Sequence, residues 1–228
     1  MRKIISAILL IIIAGGITLS LMKIPFGIPK TKVGEYYINK GREETGATNI
    51  VTSVVLNYRG FDTLGEITIL FIAALGVGAI LSLGRKRTDK KEKIEPTSSI
   101  VYTGCRFLFP ILLLVGSYIF IHGHLTPGGG FQGGAIIASA FLLIYLSCPG
   151  KRVNEKYSKI TESLAGLIFI VLGLIGLAIG QEFLFNFLPK GTLGTLLSAG
   201  IIPIIYIAIG LKVGSELTGI IDNLIEKS

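Results

Sequence analysis

Half of this chain is hydrophobic, and its hydrophobic residues are concentrated in blocks of about 20 residues separated by polar segments. A helix of that length crosses the roughly 30 Å apolar core of a bilayer. Charged residues make up 16% of the chain, whereas a typical soluble domain has about 25%. These features exclude a soluble fold and predict an all-α integral membrane protein.

The apolar blocks predict about six transmembrane helices, at residues 4–22, 61–83, 101–121, 131–146, 164–180 and 193–213. The first block follows Arg2 and Lys3, as the core of a signal peptide does. Its apolar run is longer than a usual signal core, which favours a retained membrane helix. Residues 214–228 are expected to lie at the membrane interface as a short amphipathic helix.

The distribution of basic residues predicts that both termini are cytoplasmic. With six spans, 15 of the 22 Lys and Arg residues fall in segments placed inside the cell, as the positive-inside rule requires. The same Lys and Arg residues give the chain its net charge of +8. Because the basic residues lie in short segments between apolar blocks, no nucleic-acid partner is expected.

Two polar segments divide the chain. Residues 23–60 form a predicted extracellular connection of a length that is usually functional or bound to a partner. The sequence leaves open whether this connection contains a short strand or an interfacial helix. Residues 84–99, GRKRTDKKEKIEPTSS, are expected to be a cytoplasmic linker. The linker separates a two-helix unit at 1–83 from a four-helix unit at 100–228.

The segment 122–134, HGHLTPGGGFQGG, contains both histidines and is the clearest candidate site. Glycine accepts backbone conformations that other residues avoid and permits close approach of another backbone. A phosphate cradle is disfavoured because the Lys and Ser/Thr of a P-loop are absent. A turn that receives a neighbouring subunit and an irregular backbone lining a hydrated cavity both remain open. The residues of this motif are Pro127, Gly128, Gly129, Gly130, Gln132, Gly133 and Gly134.

Two stretches carry a family resemblance. HLTPGGGFQGG, at 124–134, resembles the signature of the MnhB/MrpB subunit of the multi-subunit Mrp Na⁺/H⁺ antiporters, and this similarity extends over about 97–228. TNIVTSVVLNYRGFDTLGE, at 48–66, resembles the C-terminal extension of the large MrpA subunit. A segment similar to this extension is a separate small subunit in membrane-bound hydrogenases. The chain therefore resembles a fusion of an MrpA-tail-like unit with an MrpB-like unit.

Four titratable residues are candidates for ion translocation: Glu66, Asp62, His124 and His122. A carboxylate within a membrane span is costly and is by default a functional candidate. The resemblance adds weight to Glu66, since the antiporter tail has an acidic residue in the same GFDTLGE context. Histidine titrates near neutral pH. The alternatives are structural, with the two carboxylates at a helix start paired to Arg59 and the histidines bracing the glycine loop.

Two further features are interpreted as structural. Lys212 and Glu216 lie four residues apart at the predicted end of the last span, where Lys212 is expected to reach the inner interface as a topological anchor. Gly166, Gly173, Gly176 and Gly180 recur on the predicted fifth span. Small residues at such spacing are typical of helices that pack closely in lipid.

The resemblance implies an accessory subunit of an Mrp-type cation/proton antiporter module in the cell membrane. The fusion favours a redox-driven complex similar to a membrane-bound hydrogenase. The implied partners are large antiporter-like subunits, small companion subunits and a hydrogenase-like arm, and the implied ions are Na⁺ and H⁺. The alternative is a purely structural scaffold. No cofactor, metal site or enzymatic activity is expected of the isolated chain, because the sequence has no recognisable motif for one.

Overall fold

The computed structural model describes residues 2–22, 32–83, 98–148 and 152–227, and the regular structure in these ranges is entirely helical. The helices are α1 (Arg2–Met22), α2 (Lys32–Thr45), α3 (Ile50–Thr52), α4 (Gly60–Leu83), α5 (Ser99–Ile121), α6 (Gly130–Ser147), α7 (Glu155–Gly180) and α8 (Ile202–Lys227). A π-helical segment, Ser53–Tyr58, follows α3 directly. The predicted all-α class is confirmed.

Five helices, α4 to α8, are long and apolar enough to cross a membrane. The described part of α1 adds a shorter apolar stretch, Ala7–Met22. The prediction of about six apolar helices is therefore confirmed. The chain divides into two compact units, Met1–Tyr36 and Tyr37–Ser228, and α4 to α8 all belong to the second.

The central helix of the second unit is α8. It packs against α4, α5, α6 and α7, and 56% of its apolar span is buried, compared with 6% for α4. Ile205, Ile209 and Val213 of α8 form the core of the unit together with Phe169 of α7. Helix α4 therefore lies at the edge of this unit, with most of its surface turned away from the other helices of the unit.

The predicted boundaries of the last span are wrong. Helix α8 is continuous from Ile202 to Lys227, whereas the sequence predicts a span at 193–213 followed by a separate interfacial helix. Pro203 lies in the first turn of α8, where its missing N–H costs no hydrogen bond. The preceding glycines, Gly191, Gly194 and Gly200, have φ angles of +63°, +86° and +60°, which end any helical continuation towards residue 193.

Helix α7 also begins earlier than predicted, at Glu155 instead of residue 164. The Asn154 side chain caps it by accepting a hydrogen bond from the Lys156 N–H at 3.0 Å. Such a cap satisfies one of the free N–H groups of the first turn. The polar residues after Asn154 therefore form the first turns of α7, ahead of its apolar part.

The described part of the polar connection, from residue 32 onward, is helical. Helix α2, helix α3 and the π-helical segment occupy most of residues 32–58, which decides between the helix and strand alternatives for this range. Residues 23–31 and most of the expected linker, 84–97, lie outside the described residues.

Candidate functional site

The glycine motif joins α5 to α6 and packs against helices of its own chain. A Cβ atom at Gly133 would lie 2.6 Å from the carbonyl oxygen of Gly116 in α5. One at Gly130 would lie 2.6 Å from Ile209 Cβ, and one at Gly134 would lie 2.8 Å from Val213 Cβ, both in α8. These glycines allow α6 to approach two neighbours closely. The packing partners are α5 and α8 of the same chain. One of the two interpretations that the sequence leaves open for this motif predicts a neighbouring subunit as the packing partner.

The turn before α6 is held by polar side chains from residues 49–52. Asn49 donates its Nδ2 to the carbonyl oxygens of Gly123 and Thr126, at 2.9 and 3.0 Å. Thr52 Oγ1 donates to the Gly123 carbonyl at 2.7 Å and lies 2.8 Å from the Tyr206 hydroxyl. The motif is thus connected by hydrogen bonds to α3 and to α8.

Three other motif residues lie nearer the surface, whereas Gly129 is buried. Pro127 and Gln132 are exposed, and Gly128 is half-buried. A Cβ atom at Gly129 would lie 2.8 Å from Gln132 Oε1 and 3.2 Å from Tyr206 Cε1. Position 129 favours glycine because its φ angle of +156° is one that other residues rarely adopt and because a Cβ atom would press against the Tyr206 ring.

His124 is fully buried, and neither of its ring nitrogens has a hydrogen-bond partner in the described part of the chain. Burial lowers the pKa of His124 below its usual value, because the protonated ring loses its hydration. The backbone of Thr195 and Leu196 opposes this shift in the His124 pKa, and nearby His122 adds to it. His124 is therefore a neutral imidazole inside the protein at pH 7.

His122 is half-buried and lies beside Tyr118 of α5. The two rings stack with centroids 4.2 Å apart, and His122 Nδ1 is 3.2 Å from the Tyr118 carbonyl oxygen. These contacts fix the ring at the end of α5, where the backbone N–H of His122 also donates a hydrogen bond to the Tyr118 carbonyl oxygen.

The two candidate carboxylates of α4 have different surroundings. Asp62 forms an ion pair with Arg59 at the start of the helix. Glu66, one turn further along, is exposed on the surface of the chain. Its carboxylate has no ion pair or hydrogen bond with any other residue that the structure describes. Asp62 is thus neutralised within the chain, whereas Glu66 points outward from a membrane-length helix.

A third charged group differs from its sequence interpretation. Lys212 and Glu216 are 7% and 2% exposed, so they are buried and the predicted interfacial anchor is wrong. Lys212 Nζ lies 3.2 Å from Glu216 Oε2 and 3.9 Å from Glu162 Oε1 of α7. The error follows from the predicted helix end at residue 213, because in the longer α8 these residues lie in mid-helix. The apolar pattern of GIIDNLI after Glu216 was the signal that the helix continues.

The glycine face of α7 is covered by the segment that follows the helix. The position of a Cβ atom at Gly173 is occupied by the Phe183 ring, and that at Gly180 by the Phe185 ring. Gly173, Gly176 and Gly180 thus receive residues 183–185 of the same chain, whereas Gly166 faces Lys212 of helix α8, as the spacing of small residues predicts. Within the described ranges, no group of three or more His, Cys, Asp and Glu side chains is arranged to hold a metal ion.

These observations define a multi-pass helical membrane protein. Residues 100–219, more than half of the chain, match the family model described as a domain related to the MnhB subunit of Na⁺/H⁺ antiporters. Residues 1–98 match a second family model, MbhE, which describes a subunit of MBH. The chain belongs to the MnhB-related family of antiporter subunits, and both resemblances predicted from the sequence are confirmed.

Known proteins are similar to this chain over most of its length. An uncharacterized protein of Methanocaldococcus jannaschii is 34% identical over 200 residues, which cover 75% of this chain and 74% of that protein. A chain of the membrane-bound sulfane sulfur reductase, an archaeal respiratory membrane complex, is 51% identical, with a TM-score of 0.76 and 98% of both chains covered. A chain of the Mrp complex from Dietzia sp. DQ12-45-1b is 26% identical with a TM-score of 0.72. Its alignment covers 98% of this chain and 26% of that one.

Proposed function

We propose that this chain is an accessory subunit of a redox-driven respiratory membrane complex, where it helps to form the Na⁺/H⁺ translocation path of an antiporter-type module. The 51% identity to a chain of an archaeal respiratory complex, over 98% of both chains, supports this context. The match to an MnhB-related antiporter domain supports the transport role. The partners would be large antiporter-like subunits, small companion subunits and a catalytic arm that supplies the redox reaction.

The observation that carries the proposal is the exposure of Glu66 on α4. Counting from Gly60 at about 1.5 Å per residue, Glu66 lies about 9 Å along the helix. Asp62 and Arg59 neutralise each other at the helix start, so the charge of Glu66 is not compensated by that pair. Its surroundings on α4 are apolar, with Ile69 and Ile72 69% and 61% exposed.

A carboxylate that faced lipid at this position would be costly. A partner subunit or water must therefore cover the Glu66 face of α4. In the first case the carboxylate lies at a subunit interface, where cations can move between protein surfaces. The path that we propose consequently runs between this chain and its partner, along the Glu66 face.

The position of that partner is testable by photocross-linking at Ile69, which lies on the Glu66 face because residues three apart on a helix are neighbours. A photoreactive residue at Ile69 in the purified complex should give a product containing an antiporter-type subunit. The same residue at Ile205, which is fully buried, is the control and should give only products within the chain. Adducts to lipid alone from Ile69 would contradict the proposed interface.

The alternative is a scaffold that joins membrane modules without handling ions. The hydrogen bonds from Asn49 to the glycine turn are equally compatible with that role. An interface at Ile69 would suit both functions, and only the titration of Glu66 during transport separates them.

A further inference from the structure

A group of three charged residues, which we call the Lys212 cluster, lies inside the second unit and comprises Lys212, Glu216 and Glu162. The Lys212 ammonium is within 4 Å of a carboxylate oxygen of each acid, at 3.2 and 3.9 Å. It also lies 5.2 Å from the centre of the Phe71 ring of α4. The methylene groups of Lys212 pass over Gly166, whose Cβ position is 3.5 Å from Lys212 Cδ. Three spanning helices therefore meet at one cation.

The charges of the cluster do not balance. With all three side chains ionised, one ammonium faces two carboxylates and the group carries one excess negative charge. Both Glu216 oxygens are buried without a hydrogen bond among the described residues, although one of them lies within ion-pair distance of Lys212. Buried charge of this kind is unfavourable unless it is compensated. One additional proton would neutralise the cluster.

A cavity of about 360 Å³ adjoins the cluster and is lined by both Glu216 and Glu162. It extends to Glu155 and Lys159 at the start of α7, whose side chains are 77% and 70% exposed. Since a water molecule occupies about 30 Å³ in the liquid, this volume accommodates several. The cavity thus provides a route for water between the buried Glu216, the half-buried Glu162 and the end of the bundle.

The other charged groups around this cavity are paired. Glu155 contacts Lys159 at 2.5 Å, and Asp222 contacts Arg152 at 2.9 Å. Tyr145 of α6 also lines the cavity, and its hydroxyl accepts a hydrogen bond from the Val153 N–H at 3.3 Å. Helix α4 contributes Phe71, Ala74 and Leu75 to the lining. The excess negative charge therefore resides on the Lys212 cluster.

We propose that the Lys212 cluster is a proton-exchange site inside this subunit. One carboxylate, Glu162 or Glu216, takes a proton that hydronium delivers through the cavity water. One O–H bond of the hydronium breaks, one O–H bond forms on the carboxylate, and neutral water remains, so the cluster changes from a net charge of −1 to neutral. Lys212 keeps its own proton. A proton fits better than Na⁺ because the ammonium already occupies the position between the carboxylates and repels a second cation. The inference is independent of Glu66, since the cluster lies within the bundle and Glu66 lies on its outer face.

The test is pH-difference infrared spectroscopy of the intact purified complex, compared with complexes carrying Glu162→Gln or Glu216→Gln. A carboxyl group that gains a proton produces a carboxylic-acid C=O band, which the amide of Gln does not. Glu162→Gln is the decisive variant because it leaves the Lys212–Glu216 ion pair in place. Glu182→Gln, at an exposed carboxylate outside the helices, is the matched control.

We expect a component of the wild-type band to be lost in Glu162→Gln or Glu216→Gln and to remain in Glu182→Gln. The same variants should slow Na⁺-dependent proton flux at least tenfold at equal amounts of assembled complex.

An unchanged band in both assembled variants would show that the cluster is only structural. If Glu216→Gln fails to assemble, Glu162→Gln alone decides. A band that responds to Na⁺ at constant pH would show that the cluster binds a metal cation instead of a proton, and this result would overturn the proposal. The spectrum requires no transport, so its outcome is independent of the role of Glu66.

Discussion

The side-chain amide of Asn49 donates a hydrogen bond to the carbonyl oxygen of Gly123 at 2.9 Å. Asn49 belongs to the part of the chain that matches the MbhE family, and Gly123 belongs to the MnhB-related part. A second hydrogen bond from the same amide reaches Thr126. The two family parts are therefore joined by specific hydrogen bonds at the glycine turn, in addition to their covalent connection.

Replacement of Asn49 by Ala should destabilise this junction. The substitution removes the two bonds to the turn and the cap that Asn49 Oδ1 provides to the Val51 N–H at 3.1 Å. We expect a loss of roughly 1–3 kcal/mol in the free energy of unfolding, since each such interaction contributes about 1 kcal/mol. The measurement is the thermal denaturation of the purified complex. Asn57→Ala, on the following π-helical segment, is the control, and equal losses in the two variants would contradict the assigned role.

Two glycines give contrasting predictions. Gly130→Ala should destabilise the chain by about 1–3 kcal/mol, because the new methyl group would lie 2.6 Å from Ile209 Cβ and 3.0 Å from the Tyr206 carbonyl oxygen. Gly219→Ala should be neutral or stabilising by up to about 1 kcal/mol, because nothing lies within 4 Å of that position on α8. Thermal melting of both variants tests this contrast. A harmless Gly130→Ala would show that α6 and α8 are less closely packed.

The sequence was sufficient for the fold class and for the helices that flank the glycine motif. Helices α5 and α6 end at Ile121 and Ser147, close to the predicted ends at 121 and 146, because their apolar runs stop at polar residues. The start of α8 was not predictable in the same way. Residues 193–201 continue the apolar composition, but the positive φ angles of Gly194, Ala199 and Gly200 keep this stretch out of the helix.

The candidate site was predictable only in part. The sequence identified Glu66 as a carboxylate in a span, but its exposure depends on which face of α4 packs against α8. The buried state of Lys212 depends on the continuation of α8 and on Glu162, which is 50 positions away in the sequence. Single-sequence periodicity contains no information about such a partner on another helix.

The burial of His124 predicts a dependence of stability on pH. Because its pKa is lowered in the folded state, the unfolded chain binds a proton more readily as the pH falls below about 6.5. The stability associated with the neutral ring is thus present above that pH and decreases towards acid, by at most about 1.4 kcal/mol per pH unit. Melting temperatures between pH 7 and pH 5 should fall more steeply for the wild type than for His124→Gln. Parallel curves would show that His124 does not contribute to the pH dependence.

The predicted topology is testable at the two ends of α7. Lys156 and Glu182 are both exposed, next to the first and last residues of this spanning helix. The native cysteines, Cys105 and Cys148, are buried and give little background. In intact cells, an impermeant thiol reagent should label Glu182→Cys and leave Lys156→Cys unlabelled, as the distribution of basic residues predicts. The reverse pattern would invert the whole topology.

Whether Glu66 exchanges a cation or proton during transport is decided by Na⁺-dependent proton flux in vesicles containing equal amounts of assembled complex. Glu66→Gln keeps the size and hydrogen-bonding capacity of the side chain but cannot take up a proton. Glu66→Asp retains a titratable carboxyl group and is the matched control. We expect at least a tenfold loss of flux in Glu66→Gln, with substantial flux retained in Glu66→Asp. Wild-type flux in Glu66→Gln would contradict the proposed path and would show that the Glu66 face of α4 has only a structural role.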